Sequence, residues 1–301
     1  MKRRESKRSD SISTDAKVVK AVTKSRNPYS SKRDFGSLLV VGGSDIYSGA
    51  PALAAMAALR TGLGLANIAV PRTIVDSVRS YSPNLIVHPL PSDIVSPDDL
   101  PTLMPLFNRA NAIVLGPGIG QAPQTKQAVT SIMAKIRELD KPVLVDADAL
   151  RALAENKSLL KDAVITPHAG EFKALSGQQP PLTWRERLPI CKKFSTDYSC
   201  VLLLKGKDTV VTDGNRVRVN RSGNPAMATG GMGDVLSGII GTFLAQASDP
   251  FLAAAAGAYI HGMAGDAVYR RKGFHIVASD LVETLPEVLR PYDRINAAKS
   301  T

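Results

Sequence analysis

The sequence predicts an α/β protein: one mostly parallel central sheet covered by helices on both faces, with an antiparallel hairpin at its edge. Three observations carry that expectation. From Ser37 onward short apolar runs alternate with longer helix-compatible segments, the pattern of strands buried on both faces by crossover helices. Each run gives way at its C-terminal side to Gly, Pro, Asp, His or Lys, and that is the side on which an open α/β sheet forms its ligand crevice. The length of 301 residues with 44% apolar content suffices for one large core.

Taken in order, residues 1–33 hold eleven Lys or Arg against three Asp or Glu, so they carry +8 of the net +11 and residues 34–301 carry only +3. A charged segment without apolar periodicity is expected to be a flexible, solvated basic arm. The boundary falls near Ser31–Phe35, with one domain over residues 34–301. Charge gathered in an arm argues against a nucleic-acid-binding fold, which spreads Lys and Arg over a groove or helix face. Strands are expected at Leu38–Val41, Ile68–Val70, Leu85–Val87, Ala112–Leu115, Val143–Val145, Ala163–Ile165 and Val201–Leu204. Pro51 falls in the first turn of a helix running to Arg60, where its missing N–H costs nothing. Thr209 to Asn220 alternates about Asp213-Gly214 and reads as the hairpin. Helices are expected at Asp234–Gln246 and Leu252–Arg270, both apolar most of the way round and therefore buried, the second within the core or against a neighbouring chain. The apolar stretch Phe251 to Ile260 is too short to span a membrane. Cys191 and Cys200 fit neither a metal-ligand spacing nor a disulfide framework. With no secretory pattern at the N-terminus, the expected location is the cytoplasm.

Asn224-Pro-Ala-Met-Ala-Thr229-Gly230-Gly231-Met232-Gly233-Asp234 leads into a helix. Glycines let successive N–H groups converge, and the helix N-terminus adds partial positive charge, so an anion belongs there. Asp234 at its mouth is either a base for a substrate hydroxyl or a helix cap. Gly42-Gly-Ser-Asp is either a nucleotide-binding turn or a tight strand-to-helix turn, and it fails the dinucleotide fingerprint. Gly116-Pro-Gly-Ile-Gly120 either admits close approach of a ligand or simply ends a strand. Asp146 and Asp148 end a strand on the crevice side, where they would orient hydrated Mg²⁺, or Asp148 would cap a helix. His168 lies at the same sheet end. Glu171 acts through metal-bound water or is a first-turn acid, and His88, His261 and His275 are structural.

These motifs, with Gly42 to Pro51, Val145 to Leu150, Thr166-Pro-His-Ala-Gly-Glu-Phe172 and Lys205-Gly206-Lys207-Asp208-Thr209, resemble the ADP/ATP-dependent NAD(P)H-hydrate dehydratases in content and order, from about Asp34 to about Leu289. The resemblance implies a ribokinase-like fold and the removal of water from hydrated NADH and NADPH at the expense of a nucleoside di- or triphosphate. It makes Asp234 the base for the ring hydroxyl. Ala50, Gly118, His168 and Asp234 become substrate contacts, while Lys205, Gly206, Lys207, Asp208, Thr209, Thr229, Gly230, Gly231 and Gly233 become nucleotide contacts. Mg²⁺ is expected with the nucleotide, with Glu171 its candidate contact. ADP is the expected donor, with ATP the alternative, and a homotetramer is the expected assembly. Many relatives carry an N-terminal epimerase domain. With some thirty residues ahead of the fold, a separate epimerase is the expected partner, beside hydrated NADH or NADPH and the nucleotide. The competing readings are a kinase of thiazole or pyrimidine alcohols, since anion site and base would be shared, and a non-catalytic nucleotide sensor or nucleic-acid partner using the arm.

Overall fold

A computed structural model describes residues 12–296. Its strands are β1 (Ser37–Val41), β2 (Leu65–Pro71), β3 (Ile86–Leu90), β4 (Ala112–Leu115), β5 (Val143–Val145), β6 (Val164–Ile165), β7 (Val201–Leu204), β8 (Thr209–Thr212) and β9 (Val217–Asn220). The helices are α1 (Ala16–Val22), α2 (Gly49–Arg60), α3 (Val75–Ser80), α4 (Leu100–Arg109), α5 (Pro123–Glu138), α6 (Asp148–Ala152), α7 (Ala169–Ser176), α8 (Trp184–Tyr198), α9 (Met232–Ala245), α10 (Pro250–Lys272) and α11 (Ala278–Leu289).

All nine strands join one sheet in the order β3-β2-β1-β4-β5-β6-β7-β8-β9. β1 to β7 pair in parallel, and β8 and β9 add antiparallel at the edge, as the hairpin about Asp213-Gly214 requires. Period-two alternation sends Leu38 and Val40 of β1 into one core with α2, α9, α10 and α11, and Leu39 and Val41 into a second with α4, α5, α7 and α8. The strand order reverses between β1 and β4, so a crevice opens beyond their carboxyl ends.

The helices expected to be buried are buried. In α9 every residue from Val235 to Ala245 lies inside, and Ala253 to Ala256 of α10 sit in the first core. Asp249 caps α10, accepting a hydrogen bond from Leu252 N at 2.9 Å. Pro51 stands in the first turn of α2.

Three expectations need correction. β3 runs on through His88 and Pro89 to Leu90; it is the edge strand, where Pro sacrifices no ladder bond, and His88 Nε2 pairs with Asn67 Oδ1 at 3.0 Å. Asp148 does not cap α6: Ala147 holds the cap position at φ 53°, and Asp148 Oδ1 accepts from Gln121 Nε2 at 2.8 Å. The segment 12–33 is not a solvated arm. Val18, Val19 and Val22 of α1 are buried in the first core, Thr14 N donates to Val219 O at 3.1 Å, and Thr14 Oγ1 bonds Asn220 Oδ1 at 2.8 Å. Further on, Arg26 N donates to Arg294 O and Arg26 O accepts from Asn296 N, each at 2.9 Å. The three valines form an i, i+1, i+4 stripe that the surrounding charge obscures in the sequence. The rest of the expected arm, residues 1–11, lies outside the described residues.

Candidate active site

At the switch point the loops after β1 and β4 touch. Gly43 N donates to Pro117 O at 2.8 Å. Gly118 has φ +64°, and a Cβ there would stand 2.7 Å from Tyr47 Cβ and 3.0 Å from Ala50 Cβ. Glycine is therefore required for the two loops to close on one another, and Ala50 and Gly118, distant in sequence, become neighbours.

Further along the sheet, β5, β7 and α9 bring their polar ends together. Asp146, just past β5, is 1% exposed. Its Oδ1 accepts from Lys205 Nζ, just past β7, at 3.0 Å, and its Oδ2 accepts from Ser237 Oγ of α9 at 2.8 Å. Lys205 Nζ also lies 3.8 Å from Glu171 Oε2. Burial works against the Lys205 ammonium, yet Asp146, Glu171 and Asp234 together hold its pKa above the ordinary lysine value, so it is a fixed cation among three carboxylates.

The glycine turn docks on this pair. Gly231 adopts φ +84°, and a Cβ there would stand 2.8 Å from both Ala278 Cβ and Leu53 Cδ1. Gly230 beside it faces open space. A Cβ on Gly233 would lie 3.4 Å from Lys205 Nζ and 3.6 Å from Asp146 Oδ2. Asp234 occupies the first turn of α9, and its side chain caps nothing among the described residues. Burial pushes its carboxyl up to about 7, with the negative charge of Asp146 adding to the rise and Lys205 opposing it. A carboxyl that ionises near neutrality, beside an ammonium and a turn of free N–H groups, suits a base working next to a phosphate.

His168 caps α7: its Nδ1 accepts from Gly170 N at 3.0 Å and Glu171 N at 3.3 Å, while its Nε2 faces Glu171 Oε1 at 3.3 Å. Half of its side chain is exposed. Glu171 closes the capping box by accepting from His168 N at 2.8 Å. Among the described residues no group of three or more His, Cys, Asp or Glu stands close enough to share a metal. The loop from Lys205 to Thr209 joins β7 to β8 and borders the same crevice, with Gly206 and Lys207 exposed. Sequence reasoning missed the Asp146–Lys205–Ser237 constellation, assembled across 59 and 91 positions; the only signal was that β5 and β7 are each followed directly by a charged residue.

Residues 38–287 match the family model described as NAD(P)H-hydrate dehydratase. The chain belongs to that family. It is 39% identical over 282 residues to an ADP-dependent (S)-NAD(P)H-hydrate dehydratase of Cenarchaeum symbiosum, covering 92% of this chain and 96% of the relative. It is 43% identical over 268 residues to a bifunctional NAD(P)H-hydrate repair enzyme of Pyrobaculum aerophilum, covering 89% of this chain. The match spans about half (53%) of that bifunctional relative. Among solved structures, the Bacillus subtilis ADP/ATP-dependent NAD(P)H-hydrate dehydratase co-crystallised with ATP and Mg²⁺ superposes with a TM-score of 0.72 at 26% identity, over 91% of this chain and 96% of that one. No helix among the described residues is long and apolar enough to cross a membrane.

Proposed function

We propose that this chain is a lyase that restores NADH and NADPH from their hydrated forms, with ADP as phosphoryl donor and Asp234 as base. The observation that carries the reading is the placement of Asp234, ionising at about 7, between the glycine turn and the Lys205–Asp146 pair. In this scheme Asp234 takes the proton of the ring hydroxyl, and the freed oxygen bonds to the terminal phosphorus of ADP while the bond to AMP breaks. Phosphate then departs as the ring nitrogen lone pair pushes in, and loss of a ring proton yields the reduced nicotinamide. The amides of Gly230–Gly233 and the Lys205 ammonium face the charge that develops on the transferring group, which is where preorganised donors accelerate phosphoryl transfer. Ala50, Gly118 and His168 border the space assigned to the hydrated dinucleotide, and Lys205 to Thr209 with Thr229 border the nucleotide.

Mg²⁺ fits as an ion carried by the nucleotide rather than by a protein cage. Asp146, Glu171 and Asp234 leave the pocket with more carboxylates than Lys205 balances, an excess that a divalent ion would offset. Glu171 would help hold it, and when bound it would supply neutralisation of phosphate charge. Preference for the (S) hydrate and for ADP follows the name of the Cenarchaeum relative, and a homotetramer in the cytoplasm is part of the same proposal. The test is to incubate the chain with hydrated NADH and ADP and follow the return of reduced-nicotinamide absorbance. Turnover of thiazole or pyrimidine alcohols with no turnover of the hydrate would replace this reading by the kinase one.

A further inference from the structure

Helix α10 lines the segment that leads into the anion turn. Asn220 Nδ2 donates to Ala258 O at 3.1 Å and Ser222 Oγ to Tyr259 O at 3.2 Å. Gly262 and Gly265 leave room for that segment: a Cβ on Gly262 would overlap Ser222, and one on Gly265 would overlap Met227 Sδ. Next to Gly265 stands Asp266, a half-buried carboxylate. Its Oδ2 accepts from Gly223 N at 3.0 Å and its Oδ1 from Asn224 Nδ2 at 2.9 Å. Asn224 is held in turn, because its Oδ1 accepts from Ala226 N at 3.1 Å. At the far end of the segment His261 of the same helix keeps Nε2 sealed from solvent, with the backbone of Met232 beside it.

We infer that Asp266 is a positioning residue for nucleotide binding: by clamping Gly223 and Asn224 to α10 it fixes the path of residues 223–232 and so the aim of the Gly230–Gly233 amides. A carboxylate is needed because both oxygens accept. An amide at position 266 would turn a donor toward either Gly223 N or Asn224 Nδ2, and one bond is lost. Exchanging the two side chains restores the pattern, since the amide at 266 accepts from Gly223 N and donates to a carboxylate at 224, whose other oxygen still accepts from Ala226 N.

The inference rests on the reading that the glycine turn holds the nucleotide, so the experiment measures ADP binding directly. ADP is titrated calorimetrically into the full chain, into Asp266→Asn, and into Asp266→Asn combined with Asn224→Asp, with melting temperatures and the KM for ADP alongside. Loss of one bond to a charged group predicts about tenfold weaker ADP binding in the single variant, and recovery to within about threefold of the unaltered chain in the exchanged pair. Unchanged ADP affinity in Asp266→Asn overturns the inference, even if its melting temperature falls, because the clamp would then serve stability alone. If the single variant does not fold, the exchanged pair decides: normal ADP affinity supports the clamp, and weak affinity or failure to fold overturns it. An unaltered chain that binds no ADP would instead remove the functional reading, and the clamp with it.

Discussion

Replacing Asp146 with Asn should lower the pH at which turnover begins. The carboxyl of Asp234 is pushed from 3.8 to about 7, first by burial and then by the charge of Asp146, with Lys205 opposing. An amide at position 146 keeps the shape: its oxygen still accepts from Lys205 Nζ, and its NH₂ donates to Ser237 Oγ, which accepts as readily as it donates. Burial of Asp234 stays and one negative charge disappears. A like-charge interaction at an effective dielectric near 20 is worth about 1–2 kcal/mol, or about one pKa unit. A base works when deprotonated, so kcat/KM rises with pH through the free enzyme's value and then levels. The ascending limb should stand near 7 in the unaltered chain and about one unit lower in Asp146→Asn. At pH 6 the ionised fraction of Asp234 would rise by about fivefold. The assay is the pH profile of kcat/KM for hydrated NADH at saturating ADP, and the readout is the position of the limb rather than its height, because Lys205 also loses its ionic partner. A limb that stays in place, or moves to higher pH, would refute the argument that Asp146 helps set the base.

Two stability measurements test the supporting structure. Gly231→Ala forces a side chain into φ +84° and against Ala278 and Leu53, and should cost about 1–3 kcal/mol in denaturant unfolding. Gly230→Ala faces open space and should leave stability within about 0.5–1 kcal/mol while weakening ADP binding; equal losses for the two would contradict the different roles assigned to them. Val19→Ala removes two buried methyl groups from α1 and should cost about 2 kcal/mol, whereas a solvated arm would show no change.

The strand-and-helix layout was legible because buried parallel strands read as continuous apolar runs, and five of the strands begin and end within a residue of where those runs do. β3 was cut short in the reading because Pro89 interrupts its run, and β2 because Leu65 to Asn67 mixes polar and apolar residues. The glycine turn and Asp234 were legible as a motif. Their surroundings were not: the bonds among Asp146, Lys205 and Ser237, and between Asp266 and Asn224, join residues that the topology alone brings together, and no local spacing announces them. α1 was hidden for a different reason. Its three buried valines are too few to stand out from a run of lysines and arginines, and it is α10, distant in sequence, that gives them a surface to pack on.

The most direct measurement is turnover of hydrated NADH by Asp234→Asn, with ADP affinity and melting temperature determined on the same protein. The substitution removes the base and keeps its size, so kcat should fall by about 10²–10⁴-fold while ADP binds with nearly unchanged affinity. A carboxyl raised to about 7 also penalises folding wherever it must ionise, with stability lost as pH rises from about 4 toward 7. At pH 8 the variant should therefore melt no lower than the unaltered chain. Turnover retained within a few-fold would contradict the account and leave Asp234 a structural residue of α9.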